Sequence, residues 1–163
     1  MANIEVSQVA GENNWALLID PEGLITEGTG DNFFIVKDGI VLTPKGRNIL
    51  RGISRSYIME LCAKIGVQCE EADIEPYDVY TCDEAFMTGT PFCMLPVGSL
   101  NGVKIGSVLK GPITVKLLEE WGSQVGVDIE GQIKKFNRRS AKNVIGSSPY
   151  QFQSKASSKK TSE

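Results

Sequence analysis

Short apolar runs separated by turn-forming clusters dominate the first third of the chain. Residues 15–19 read as a buried strand, Asp20-Pro21-Glu22-Gly23 as the turn that closes it, and residues 24–27 as its returning partner. Residues 33–37 and 40–43 flank Asp38-Gly39, a pair suited to a two-residue hairpin turn because both positions tolerate left-handed backbone angles. An antiparallel meander is therefore expected. Before it, residues 1–13 are weakly patterned and read as the remnant of a preceding segment.

The period then changes. Ile53, Tyr57, Ile58, Leu61, Cys62 and Ile65 recur at helical spacing, which predicts one amphipathic helix over residues 53–65, with Ser54 as a cap near its start and Gly66 as its stop. Residues 67–74 return to a strand pattern, residues 75–82 to a short turn or helix, and residues 84–87 to a strand that runs into Thr88-Gly89-Thr90. Residues 94–100 and 103–105 flank Asn101-Gly102, a second hairpin signal. Gly111-Pro112 opens a helix with Ile113, Leu117, Leu118 and Trp121 on one face, ending near Gly122 to Gly126. From about Arg138 the composition turns to Ser, Lys, Gln and Asn, so residues 137–163 are expected to form a disordered polar tail.

Composition adds exclusions. A length of 163 residues with 41% hydrophobic content suits a single domain with its own core. The 17 basic residues do not outweigh the 20 acidic ones, so no basic field is offered to nucleic acid or to an anionic membrane. No long apolar run or secretory leader is visible, and a cytoplasmic location is expected. The four cysteines are widely spaced within apolar segments and predict buried, reduced thiols. Histidine is absent, which removes Ser-His-Asp and Cys-His machinery and His-based metal sites. Acid-base work would fall to other side chains, or the difficult chemistry to a cofactor.

Candidate chemistry gathers at the first strand end. The stretch LITEGTGDN delivers one carboxylate, Glu27, and breaks at once into a glycine-containing turn, which places that carboxylate at a rim open to close approach. The helix predicted to follow Gly52 offers free amides and a positive dipole end to an anion. Thr88-Gly89-Thr90 repeats the arrangement of a strand entering a small, hydroxyl-bearing turn.

These motifs carry a resemblance. The run ALLIDPEGLITEGTGDNFFIVKDGIVLTP, then ILRGISR, then DEAFMTGT, then LPV followed by NG, IG and GP-T, resembles the C-terminal portion of the fold-type IV pyridoxal-phosphate aminotransferases, the branched-chain and D-amino-acid aminotransferase group, over roughly residues 14–125. The resemblance implies an α/β (α+β) fold with an antiparallel or mixed sheet, or pseudo-barrel, and packed helices, with residues 14–136 as the large cofactor-binding domain. It implies pyridoxal 5′-phosphate as cofactor and transfer of an amino group from a branched-chain-like amino acid or an amine to a 2-oxo acid. It also implies a homodimer. Within it, Glu27 resembles the carboxylate that pairs with the pyridine nitrogen, and Leu50 the residue that packs on the ring. Ile53 and Ser54 match the phosphate-holding helix start, where the family usually has Thr in place of Ser54, and Thr90 matches a second phosphate-binding hydroxyl.

Two departures shape the expectation. After Thr90 the chain reads Pro91-Phe92-Cys93-Met94, where many branched-chain enzymes have small residues and a Glu, so Pro91 and Phe92 are the candidate substrate-side residues. No lysine precedes Lys37, whereas the family's Schiff-base lysine lies upstream of the position of Glu27. The expectation is therefore that this chain is the C-terminal, cofactor-binding portion of the enzyme and is inactive alone. A related lyase acting on 4-amino-4-deoxychorismate and a non-catalytic module that binds the cofactor or a partner are the alternatives.

Overall fold

The computed structural model describes residues 1–11 and 13–142. In chain order the elements are α1 (Ala2–Val6), β1 (Leu17–Ile19), β2 (Ile25–Gly28), β3 (Asn32–Lys37), β4 (Ile40–Pro44), α2 (Ile53–Lys64), β5 (Cys69–Ala72), α3 (Pro76–Thr81), β6 (Glu84–Gly89), β7 (Cys93–Pro96), β8 (Ser99–Leu100), β9 (Val103–Lys104), α4 (Pro112–Val125) and α5 (Ile129–Lys142). β1 to β7 form one mixed sheet, antiparallel except where β4 and β5 run parallel on either side of α2. β8 and β9 form a separate two-stranded ribbon.

β3 is the hub of the sheet. One edge pairs with β6 from Asn32↔Thr88 to Val36↔Glu84, and the other is shared by β2 at Asn32 and β4 over Ile35 to Lys37. Its side chains alternate between two cores. Phe34 and Val36 join Phe86, Ile58, Leu61, Cys62, Leu117 and Trp121 on the helical side. Phe33 and Ile35 join Ile25, Ile74, Val79, Ala85, Met87 and Ile105 on the other. Burial on both faces explains the unbroken apolar run of this strand, and Phe34 stacks on Phe86 with ring centroids 5.0 Å apart.

The hairpin signals fold as expected: Asp38 and Gly39 take φ of 51° and 80°, Asn101 and Gly102 take 49° and 81°. Other expectations change. The predicted strand over residues 94–100 divides into β7 and β8. Trp15 lies outside β1 and is 46% exposed, because its ring packs at the surface against Phe92 rather than in the core. Cys62 and Cys82 are buried, Cys69 and Cys93 only half-buried, and all four are free.

The N-cap of α2 is Gly52, not Ser54, which lies within the first turn and makes no side-chain cap bond. Residues 2–6, read as unpatterned, form the single turn and a half of α1. The boundary drawn at residue 137 falls inside α5, whose helix continues to Lys142, and the rest of the predicted tail lies outside the described residues.

Candidate functional site

Three strand or helix ends converge at one rim: the β2–β3 turn, the start of α2 and the end of β6. The cleft between them encloses about 170 Å³ and is lined by residues 27–32, Leu50, residues 52–54 and residues 88–90. Glu27, Leu50, Ile53, Ser54 and Thr90, separated by more than sixty positions in the sequence, are all in its wall. Pro91 and Phe92 are not. Phe92 turns away over Gly89 and meets Trp15 edge to face at 5.6 Å, lining a neighbouring apolar cavity with Leu17, Phe33, Met87 and Leu95.

Glu27 is fixed by neighbours that only the fold brings near. Its Oε2 accepts hydrogen bonds from Asn32 Nδ2 at 3.0 Å and from the Leu50 amide at 2.9 Å, and Asn32 also donates to the Leu50 carbonyl at 2.8 Å. Asn32 can do this because it stands directly opposite Glu27 across the β2–β3 pair. The other oxygen, Oε1, has no protein donor among the described residues, and Glu27 is one of the residues that line the cleft. Gly52 belongs to the same clamp: a Cβ there would collide with Asn32 Oδ1.

α2 begins with Gly52 as N-cap, and its first intrahelical bond runs from the Ser56 amide to the Gly52 carbonyl at 3.1 Å. The amides of Ile53, Ser54 and Arg55 precede that bond and have no partner four residues back within the helix. Ile53 and Ser54 open onto the cleft, and the exposed Thr90 lies across from them. Ile53 and Leu50 are 88% and 73% exposed, apolar side chains standing free at a polar rim. No lysine or arginine is among the lining residues, so an anion here is held by amides, hydroxyls and the helix dipole. Arg55 is buried instead, binding Glu71 at 2.6 Å and the Pro44 carbonyl at 2.9 Å, and so fastens the first turn of α2 to the sheet.

Asp31 is a second carboxyl in this wall. It is buried, with no well-aligned donor to either oxygen among the described residues. Burial pushes its pKa up to about 6; the nearby Gly30 amide pulls it back in part and the Glu27 carboxylate raises it further. Asp31, Asn32, Gly52 and Thr88 are the site residues that sequence reasoning did not single out. The acidic-amide pair after the glycine turn was the available signal.

A pyridine-type nitrogen bearing a proton, joined to a phosphate, matches these groups in kind. The cleft wall carries the Glu27 carboxyl held through Oε2, the unpaired amides at the start of α2 and the apolar Leu50 side chain. The family described as Amino-transferase class IV matches residues 1–100. The chain belongs to that family.

Among its class IV relatives, the branched-chain-amino-acid aminotransferase of Pseudomonas aeruginosa is 42% identical over 109 residues, covering 67% of this chain and 36% of that protein. A putative branched-chain-amino-acid aminotransferase of Methanocaldococcus jannaschii is 40% identical over 118 residues, 68% of this chain and 41% of that one. The solved branched-chain amino acid aminotransferase of Thermobaculum terrenum, in its PLP-form, superposes with a TM-score of 0.70 at 28% identity, over 79% of this chain and 42% of that one. The chain thus spans about two-fifths of the length of these relatives, and its mixed sheet with packed helices is theirs.

Proposed function

We propose that this chain supplies the cofactor-binding half of a pyridoxal-phosphate-dependent transaminase that moves an amino group from a branched-chain-like amino acid to a 2-oxo acid, acting in the cytoplasm as a homodimer. The observation that carries this reading is the held carboxylate of Glu27 in the cleft wall, with two donors on one oxygen and none from the described residues on the other. When bound, the cofactor ring accepts the electron pair released as the substrate Cα loses its proton.

The chain's own residues give that ring its place and charge. The Glu27 carboxylate would accept the pyridine N–H and stabilise its positive charge, and Asn32 and the Leu50 amide hold that carboxylate in place. Leu50, in the same wall, would offer an apolar contact to the ring. The amides of Ile53 and Ser54, with the Ser54 and Thr90 hydroxyls, would hold the phosphate. Pro91 and Phe92, following Thr90, border the substrate side, where Phe92 and Trp15 give an apolar flank suited to an aliphatic side chain.

Phosphorus NMR of pyridoxamine 5′-phosphate titrated with this chain tests the reading without requiring turnover. A shifted, broadened resonance that competes with pyridoxal 5′-phosphate is expected. Glu27→Gln is expected to keep the phosphate shift and to lower affinity, since a neutral amide no longer favours the protonated ring. An unperturbed resonance at millimolar protein would remove the cofactor site. In the whole enzyme containing this chain, glutamate formation from leucine and 2-oxoglutarate is the expected activity, and the same substitution slows it.

A further inference from the structure

Outside the cleft, the chain places two cysteines together at the far end of α2. Cys62 sits in the last turns of that helix and is fully buried. Its carbonyl accepts the Val67 amide at 2.9 Å, which reverses the chain through Gly66, and the Gln68 carbonyl then accepts the Val41 amide at 2.9 Å, which sets β5 beside β4. Cys69 opens β5 opposite Val41. It is half-buried between exposed Gln68 and Glu70, so its side chain turns inward, against the same apolar cluster that contains Cys62.

We propose that Cys62 and Cys69 are a reversible oxidation site, at which a peroxide joins the two thiols in a disulfide that ties the C-terminal end of α2 to β5. Cys69 is the attacking sulfur because it is the more accessible of the two. The electrostatics agree. The nearby Cys62 thiol and, after it, the Arg55 guanidinium lower the Cys69 pKa against the effects of burial and of Glu70 and Glu71. Cys62 is pushed up by the neighbouring Cys69 sulfur and by burial, and burial also raises Cys82 and Cys93.

In the first step the Cys69 thiolate attacks one peroxide oxygen. The S–O bond forms, the O–O bond breaks, and the departing hydroxide takes a proton to leave as water. In the second, the Cys62 sulfur attacks the Cys69 sulfenic acid: the S–S bond forms, the S–O bond breaks, and the hydroxide leaves as water with the Cys62 proton. Two thiols lose two electrons in total, and one peroxide becomes two waters. The link would duplicate covalently what the Arg55–Glu71 ion pair does at the other end of the helix.

Intact-mass spectrometry of the chain after brief exposure to a small excess of hydrogen peroxide tests this. A loss of about 2 Da, reversed by dithiothreitol and mapping to a Cys62–Cys69 peptide pair, is expected, and it persists in the Cys82→Ser/Cys93→Ser double variant. Cys69→Ser is expected to abolish the loss. Cys62→Ala, which preserves an apolar core position, is expected to leave Cys69 as a dimedone-reactive sulfenic acid, a gain of about 16 Da before trapping. No mass loss, a bridge through Cys82 or Cys93, or equal oxidation of Cys69→Ser overturns the proposal.

Discussion

Asp31 is a carboxyl whose environment opposes its charged form. Its folded pKa of about 6 lies above the ordinary value of 3.8, so the folded state binds its proton more tightly than the unfolded chain does. The contribution of this group to stability is therefore fully present below pH 4 and is lost as the pH rises through 6. Asp31→Asn removes the titration. It is expected to raise stability above pH 7 by on the order of 1–2 kcal/mol, with the difference closing near pH 4, as read by thermal melts across that range.

At the same scale, Ser54→Ala and Thr90→Ala are each expected to weaken retention of pyridoxal 5′-phosphate by about 1–2 kcal/mol, the worth of one hydrogen bond to a charged phosphate, with the fold unchanged. Equilibrium dialysis against the parent chain reads this directly.

Among the elements, α4 is held by a residue far from it in sequence. Glu84, buried at the start of β6, accepts the Ile113 amide at 2.9 Å and the Thr114 amide at 2.8 Å, and so caps a helix whose own N-cap, Gly111, has no side chain. Glycine is required at 111 because a Cβ would strike the Glu84 carboxyl. Glu84→Ala is expected to cost about 1–3 kcal/mol by urea denaturation, since it leaves two partly buried amides unpaired.

The elements also separate what was legible in the sequence from what was not. Asp38-Gly39 and Asn101-Gly102 are local chemistry, and both turns fold as written. The 53–65 helix was visible in its apolar period, but its cap was misplaced because Gly52, rather than a hydroxyl, is selected by close contact with Asn32. α5 was missed because, of its described apolar side chains, Ile129 is buried but Ile133 is still 40% exposed, and charged residues lie around them in the sequence. Glu27 was identifiable from its place at a strand end. Its clamp was not, since Asn32 and Leu50 meet it only after β2, β3 and the approach to α2 are assembled.

For the whole molecule, the cleft is one object made from three distant segments, and ligand binding should report on all of them together. Saturating pyridoxal 5′-phosphate, at about a hundred times its dissociation constant, is expected to stabilise the chain by about 2.7 kcal/mol. Hydrogen-exchange mass spectrometry is expected to show protection growing together in residues 27–32, 50–54 and 88–90. Protection confined to one segment would mean that the phosphate and ring sites do not form a common cleft.

The hub position of β3 sets the order in which this cleft can come into being. Its pairing with β6 joins Asn32 to Thr88, so the intervening chain, with β4, α2, β5 and α3, must be closed as a long loop before the strand is covered on that edge. Contacts of such sequence separation are slow to nucleate. During synthesis, Glu27 emerges early but has no opposite wall until residues 88–90 have left the ribosome. The proposed cofactor cradle is then completed by the same strand docking that closes the core, so a kinetic intermediate lacking β6 would carry the carboxylate but have little affinity for the ligand.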